Sequence, residues 1–257
     1  MKKKSMLIMA PALGFGLVIL SASPAMAADA TGSYSTTLDE INNSGASGEV
    51  WIDVEGDMAT VTLNATGLAA EFDGNPYPHV QHIHIGAQGA CPAPSADTNG
   101  DGIISTTEGA PFYGGIGTTL SIGLADKSPD AGLDLMVAPS GPTITYEETF
   151  QMDQATLDNL SAGTAVVVVH GLDPATQPES GMSPSDLVPE LPLAATSPAL
   201  CGVVAMAPAG GVDTGVVSAA DEGNEVATMG FVAMGGLFAT LLLAGITAIR
   251  RRAIRVS

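Results

Sequence analysis

The stretch Glu49-Val50-Trp51-Ile52-Asp53-Val54-Glu55, then Gly56-Asp57, then Ala59-Thr60-Val61-Thr62-Leu63-Asn64-Ala65-Thr66, decides the fold class. On both sides of the Gly-Asp turn, apolar residues alternate with mostly acidic or hydroxyl ones, Trp51 and Asn64 being the exceptions. A strand shows successive side chains to opposite faces, so a period of two marks a half-buried strand. Two such runs about a tight turn make a hairpin.

Working outward, further strands are expected at residues 33–38, 80–85, 118–123, 143–150, 165–170 and 201–206, with one short helix at 153–160 capped by Asp153. Short strands separated by Gly- and Pro-rich turns predict an all-β fold, an antiparallel Greek-key barrel or sandwich over residues 28–208. The connections at 86–117, 124–142 and 173–199 are long. Loops of that length in a compact domain usually carry function.

The two ends differ from this body. Lys2, Lys3 and Lys4, an apolar run and Ala25-Met26-Ala27 have the pattern of a signal peptide over residues 1–27. Residues 209–225 are rich in Gly, Ala and acidic side chains and predict a flexible stalk. Residues 226–249 are uncharged and long enough to cross a bilayer core of about 30 Å. Arg250, Arg251, Arg252 and Arg255 follow in a tail at 250–257, on the side expected to stay cytoplasmic. The pattern predicts a single-pass type I cell-membrane protein with an extracellular or extracytoplasmic β domain, anchored by one C-terminal transmembrane helix.

All 27 acidic residues lie between the signal peptide and the membrane segment, where Lys127 is the only Lys or Arg. A net charge of about −26 there excludes nucleic acid and anionic lipid as partners and favours cations. Cys91 and Cys201 are the only cysteines, both in the exported part, which predicts one disulfide.

Asp97-Thr98-Asn99-Gly100-Asp101-Gly102-Ile103-Ile104-Ser105-Thr106-Thr107-Glu108 matches the twelve-residue calcium loop at each specified position. In such a loop Asp97, Asn99 and Asp101 present oxygens, Gly102 permits the bend and Ile103 offers its carbonyl. Ser105 offers a hydroxyl or a held water, and Glu108 closes the shell. The Pro-rich flanks argue against long helices on either side. The expectation is an isolated structural calcium site.

Three of the four histidines fall in His79-Val80-Gln81-His82-Ile83-His84, and the fourth, His170, ends the run Ala165-Val166-Val167-Val168-Val169. On a strand His82 and His84 share a face, with Cα atoms about 7 Å apart. His170 is a third candidate ligand from a second strand, and neutral imidazole suits copper or zinc. His79, on the opposite face, and Asp173, just after His170, are candidates to orient the ligands from behind.

His82-Ile83-His84 with the following Cys91, Val166-Val167-Val168-Val169-His170-Gly171, and Cys201-Gly202-Val203 resemble, in this order, motifs of the copper/zinc superoxide dismutases. The opening strand, the Ser-Gly-rich turn, the hairpin, Gly67-Leu68, His82-Ile83-His84 and Leu160-Ser161-Ala162-Gly163 resemble the CHRD domain, first described in chordin. The resemblance implies a dismutase-like β-barrel with copper at His82, His84 and His170. It departs where chemistry is concerned. There is no bridging histidine, the zinc ligands are missing so that zinc is not expected, and Ser197-Pro198-Ala199-Leu200 stands where the dismutases carry their guiding arginine.

The expected function is therefore a membrane-anchored CHRD/dismutase-like metal-binding module, with a structural calcium loop and a three-histidine copper site. The alternative is a copper-only superoxide dismutase at the cell surface, and enzymatic activity is left open. A surface protein whose histidines serve only as hydrogen-bonded core is the plain third reading.

Overall fold

The computed structural model of the protein describes residues 29–207. The signal segment at 1–27, the stalk at 209–225, the apolar segment at 226–249 and the tail lie outside the described residues. Among the described residues no helix is long and apolar enough to cross a membrane.

The chain is mostly β. Strands β1 (Gly32–Glu40), β2 (Ser47–Glu55) and β3 (Met58–Thr66) form a meander, and β4 (Glu71–Phe72) and β5 (Asn75–Pro76) a small separate hairpin. Then follow β6 (Gln81–Ile85), α1 (Thr106–Tyr113), β7 (Gly115–Thr119), β8 (Thr143–Gln151), α2 (Gln154–Ala162), β9 (Val166–His170), α3 (Leu193–Thr196), β10 (Pro198–Val203) and β11 (Ala205–Met206). One antiparallel sheet runs in the order β7-β6-β9-β10-β1-β2-β3-β8, with β11 beside β1. It curls into a half-barrel. β1 is the seam: residues 32–38 pair with β2, while Asp39 and Glu40 pair with Cys201 and Leu200 of β10.

The alternation in β2 and β3 is carried out in space. Val50, Ile52 and Val54 face Ala59, Val61, Leu63 and Ala65 in the main core, while Asp53, Glu55 and Trp51 face water. β2 and β3 turn about Gly56, whose φ of +64° is a conformation that side-chain-bearing residues rarely adopt. Ile144 and Tyr146 of β8 and Tyr34 and Leu38 of β1 complete this face.

β9 is buried on both faces. Val167 and Val169 join the main core, whereas Val166 and Val168 pack with Tyr113 and Cys201 in a second, smaller cluster on the other side of the sheet. β6 does the same with different chemistry: Ile83 enters the main core, and His82 and His84 take the opposite face. Two strand irregularities adjoin this region. β7 carries an extra residue, Gly117, opposite the Ile83–His84 step, and β10 carries Ala199 opposite the Val169–His170 step. Such bulges re-aim neighbouring side chains.

The elements depart from the expected ones in several places: α3 forms inside the expected loop 173–199, and the strand expected at 201–206 is β10 from Pro198 followed by β11. The segment 86–117 is not all loop, since α1 forms within it, started by Ser105 and Glu108, which cap each other's backbone. β7 lies at Gly115–Thr119 and not at 118–123. Gly115 and Gly117 read as turn residues, yet a side chain at Gly117 would sit 2.6 Å from the Thr156 hydroxyl and 2.9 Å from Ile85. Space, and not a turn, requires glycine there.

Cys91 and Cys201 are bonded, with Cα atoms 5.9 Å apart and 110 residues between them. The bond ties the segment after β6 to β10. Closing a loop of that size stabilises the fold by roughly 3–5 kcal/mol through the unfolded chain. Reduction, or Cys91→Ser with Cys201→Ser, is expected to lower the urea midpoint accordingly; an unchanged midpoint would remove the disulfide from the stabilising interactions.

Candidate metal centre

His82, His84 and His170 come together on the side of the sheet away from the main core. Each is about 3% exposed or less. Ring centroids are 5.4 Å apart for His82 and His84, 5.3 Å for His82 and His170, and 5.9 Å for His84 and His170. Each ring offers one nitrogen such that the three lie within 4.8 Å of one another, and among the described residues no other group of three His, Cys, Asp or Glu does so.

The register explains the convergence. His82 and His84 stand opposite Val168 and Val166 of β9, and His170 ends β9 with its amide bonded to the Val80 carbonyl. Residues 82, 84, 166, 168 and 170 thus share one face. Two valines pack into the small cluster with Tyr113, whose ring lies 4.6 Å from that of His84, and three imidazoles are left at one end.

Hydrogen bonding gives each ring a defined tautomer. His82 Nε2 lies 3.0 Å from the Gly132 carbonyl, His84 Nδ1 3.0 Å from the Gly114 carbonyl, and His170 Nδ1 2.8 Å from the Thr196 carbonyl. A carbonyl oxygen only accepts, so these nitrogens carry the protons. The remaining nitrogens, His82 Nδ1, His84 Nε2 and His170 Nε2, are buried and have no partner. Bare buried polar atoms are rare in folded proteins, and three in one cluster call for an explanation. Each is an unprotonated lone pair, the form in which imidazole binds a metal.

Electrostatics keeps them in that form. Burial, followed by the neighbouring rings of His170 and His84, pushes His82 well below the usual imidazole range. Burial and His170 bring His84 down to about 3, against an upward pull from the Gly114 and Gly115 backbone. Burial brings His170 down to about 4, opposed by its bond to Thr196. Nitrogens ligating one ion at about 2.0–2.1 Å would be about 3.3–3.6 Å apart, so closing on a metal needs ring shifts on the order of 1 Å.

No family model matches the chain, and no curated protein matches it. The site is therefore read from its own residues.

His79 stands apart. Its Nδ1 lies 2.9 Å from the His170 backbone carbonyl and its Nε2 2.9 Å from the Ala69 carbonyl. It thus braces the β9 backbone from behind, and the ligand tautomers are set instead by Gly114, Gly132 and Thr196. Asp173 holds its own turn, accepting from the Ala175 amide at 2.9 Å. The three carbonyl acceptors carry no signal in the sequence, because backbone groups look alike in every residue. Only the glycines hint at them: a side chain on Gly114 would meet the Ile85 carbonyl at 1.9 Å, and one on Gly132 would meet Ile116 at 2.3 Å.

The loop at 97–108 is closed by its own hydrogen bonds. Asp97 accepts from the amides of Gly100 at 2.8 Å and Gly102 at 2.9 Å, Asn99 from Asp101 at 2.8 Å, and Asp101 from Ile103 at 2.9 Å. Glu108 accepts from the amides of Thr98, Asn99 and Ser105 and from the Thr98 hydroxyl. Burial raises the Glu108 pKa, but these bonds together outweigh it and hold the carboxyl below its usual value. Ser105 donates its hydroxyl to Asp186 at 2.8 Å, and the Ile103 side chain is buried in the main core.

The depressed histidines make the metal-free protein acid-sensitive in a defined window. The unfolded chain takes up protons near pH 6.5, while folded His170 and His84 resist until about 4 and 3. Their contribution is therefore complete above about pH 6.5 and is lost as pH falls toward 4. Melting temperatures between pH 7.5 and 4.5 are expected to fall, and to fall less in His170→Asn; an equal slope in both would show that these rings do not set it.

Proposed function

We propose that this chain is a metal-binding module, a CHRD/dismutase-like β domain that holds one copper ion at His82, His84 and His170. The observation that carries the reading is the set of three bare, buried ring nitrogens whose partner nitrogens are each committed to a backbone carbonyl. Outer contacts of this kind fix ligand orientation in metal sites. Copper bound there would supply an ion with an open coordination position and two accessible oxidation states. The curled antiparallel sheet and the Cys91–Cys201 bond are compatible with the Greek-key barrel that the motifs imply. The segments at 1–27 and 226–249 support export and attachment by a single span.

The same proposal includes a structural calcium ion at Asp97, Asn99, Asp101, Ile103, Ser105 and Glu108, supported by the spacing of the loop. Glu108 would have to exchange hydrogen bonds for the ion. A copper-only dismutase is the weaker reading. Lys127, the single Lys or Arg between residues 29 and 207, does not border the histidines; its ammonium bonds the carbonyls of Ser121 and Gly123 and faces the rings of Tyr146 and Phe150. An acidic body without a cationic side chain at the site repels an anionic substrate.

Copper titration of the metal-free protein is expected to show one equivalent bound, with affinity lowered on the order of 100-fold or more in His82→Ala and His170→Ala, beyond what loss of an outer contact costs. Superoxide removal should stay slow. Unaltered copper binding in both variants would overturn the assignment, and fast dismutation would favour the enzyme.

Calcium at a hundredfold excess over its Kd is expected to stabilise the fold by about 2.7 kcal/mol. Glu108→Gln should abolish that gain, since glutamine still serves a capping box but lacks the charge for calcium. A melting temperature indifferent to calcium would dismiss this part.

A further inference from the structure

The metal centre opens onto a pocket of about 370 Å³, within the range of about 300–1,000 Å³ typical of small-molecule sites. His82, His84 and His170 form part of its wall. The rest comes from Val80 and three segments: α1 with the start of β7, the turns from Pro129 to Leu135, and the stretch that leads into and through α3. Their contributions are dominated by Ile116, Leu133, Leu135, Leu187, Val188 and Leu191.

No Asp, Glu, Lys or Arg lines this pocket. Three other clefts among the described residues contrast with it, since each borders at least two charged side chains: Asp126, Lys127 and Asp153 in one, Glu40 and Asp97 in a second, Asp53 and Glu55 in a third. At the pocket's rim Leu133 is 56% exposed, Leu187 44% and Leu135 41%. Large aliphatic side chains left in water around a concave, charge-free site gain by being covered.

The inner wall sets the other half of the requirement. The bare nitrogens lie just behind that wall, out of contact with water, so a donor reaches them by the same ring shifts, on the order of 1 Å, that an ion would need; an ion held there would keep an open position toward the pocket. A hydroxyl head suits both states: its O–H donates to a ring nitrogen, or its oxygen lone pair faces the ion. An apolar body with one such head matches the whole pocket, whereas a small anion would find no cationic side chain in it.

We infer that this pocket receives a small uncharged organic molecule with an apolar body and a single hydroxyl-type head directed at the three histidines. The inference rests on the three-histidine reading of the same site, which it extends by naming the ligand class. The pocket and its aliphatic rim exist without the ion, so the two ideas are separable by experiment.

The test uses benzyl alcohol as probe and methanol as the head-only control. Methyl spectra of leucine-labelled full chain in detergent are recorded metal-free and loaded with Cu(I). Saturable shifts at Leu133, Leu135, Leu187 and Leu191 are expected with benzyl alcohol and not with methanol, while Leu157 and Leu160 of the main core stay still. Leu133→Ser combined with Leu187→Ser should weaken the probe about tenfold and leave copper binding unchanged; both side chains are half-exposed, and unshifted Leu157 and Leu160 would report an intact fold. Absence of saturable shifts at the four rim and wall leucines in both metal states overturns the inference, as does equal affinity in the double variant. If the protein takes up no copper, the metal reading fails by itself, and the metal-free spectra still decide the pocket by the same criterion.

Discussion

Successive residues of a strand point to opposite faces, and this protein rests on how β6 and β9 use that constraint. Ile83, Val167 and Val169 anchor the two strands in the main core, so the residues between them are held on the far side with little freedom. There the strands present two valines and three histidines. A bare nitrogen out of water costs roughly 1–3 kcal/mol by comparison with a satisfied one. Three in one place are tolerated because the backbone beneath them is fastened by the core, by Tyr113 and by the Cys91–Cys201 bond. The site is thus a by-product of strand geometry, yet one that the core alone would not require.

Charge is divided in the same way as polarity. Carboxylates cover the solvent face of β2 and the turns, whereas the ground around the histidines holds none. Neutrality of the imidazoles follows from this arrangement. Burial penalises the imidazolium, and no carboxylate stands close enough to compensate it. A dense acidic exterior would draw cations toward the surface, while the histidine cluster has lone pairs to offer them and not opposite charge.

Much of this was legible in the sequence where chemistry repeats at a fixed interval. The alternation from Val50 to Ala65 has one spatial meaning, and the spacing of His82 and His84 puts them on one face of any strand. Asp153 as a cap before a short amphipathic run likewise marked α2. Legibility ended where glycine serves space instead of a turn. Gly117 masked β7, and Ser105 with Glu108 began a short helix in a segment whose prolines argued only against long ones. Glu108 shows why the loop is hard to read: one carboxylate suits a calcium shell and a helix cap equally well. The carbonyls of Gly114, Gly132 and Thr196 could not be foreseen, since only the folded chain brings them to the rings.

β9 has a peculiarity with a wider bearing. Four valines in a row make its two faces chemically the same at the centre, so a slip by one position would exchange valine for valine there and meet resistance only at the ends, where Thr164 or His170 would enter the core. The valines therefore carry no information about their own alignment. That information resides in the strand's neighbours and its end. Cys201, opposite Val168, is fastened through Cys91, the extra residue Ala199 interrupts β10 at one place only, and Gly171, with φ of +103°, leaves no room for a side chain beside His79. Mutations at Cys201, Ala199 or Gly171 would thus act as frameshifts in three dimensions, carrying His170 away from its partners while the centre of the hydrophobic interior remained filled.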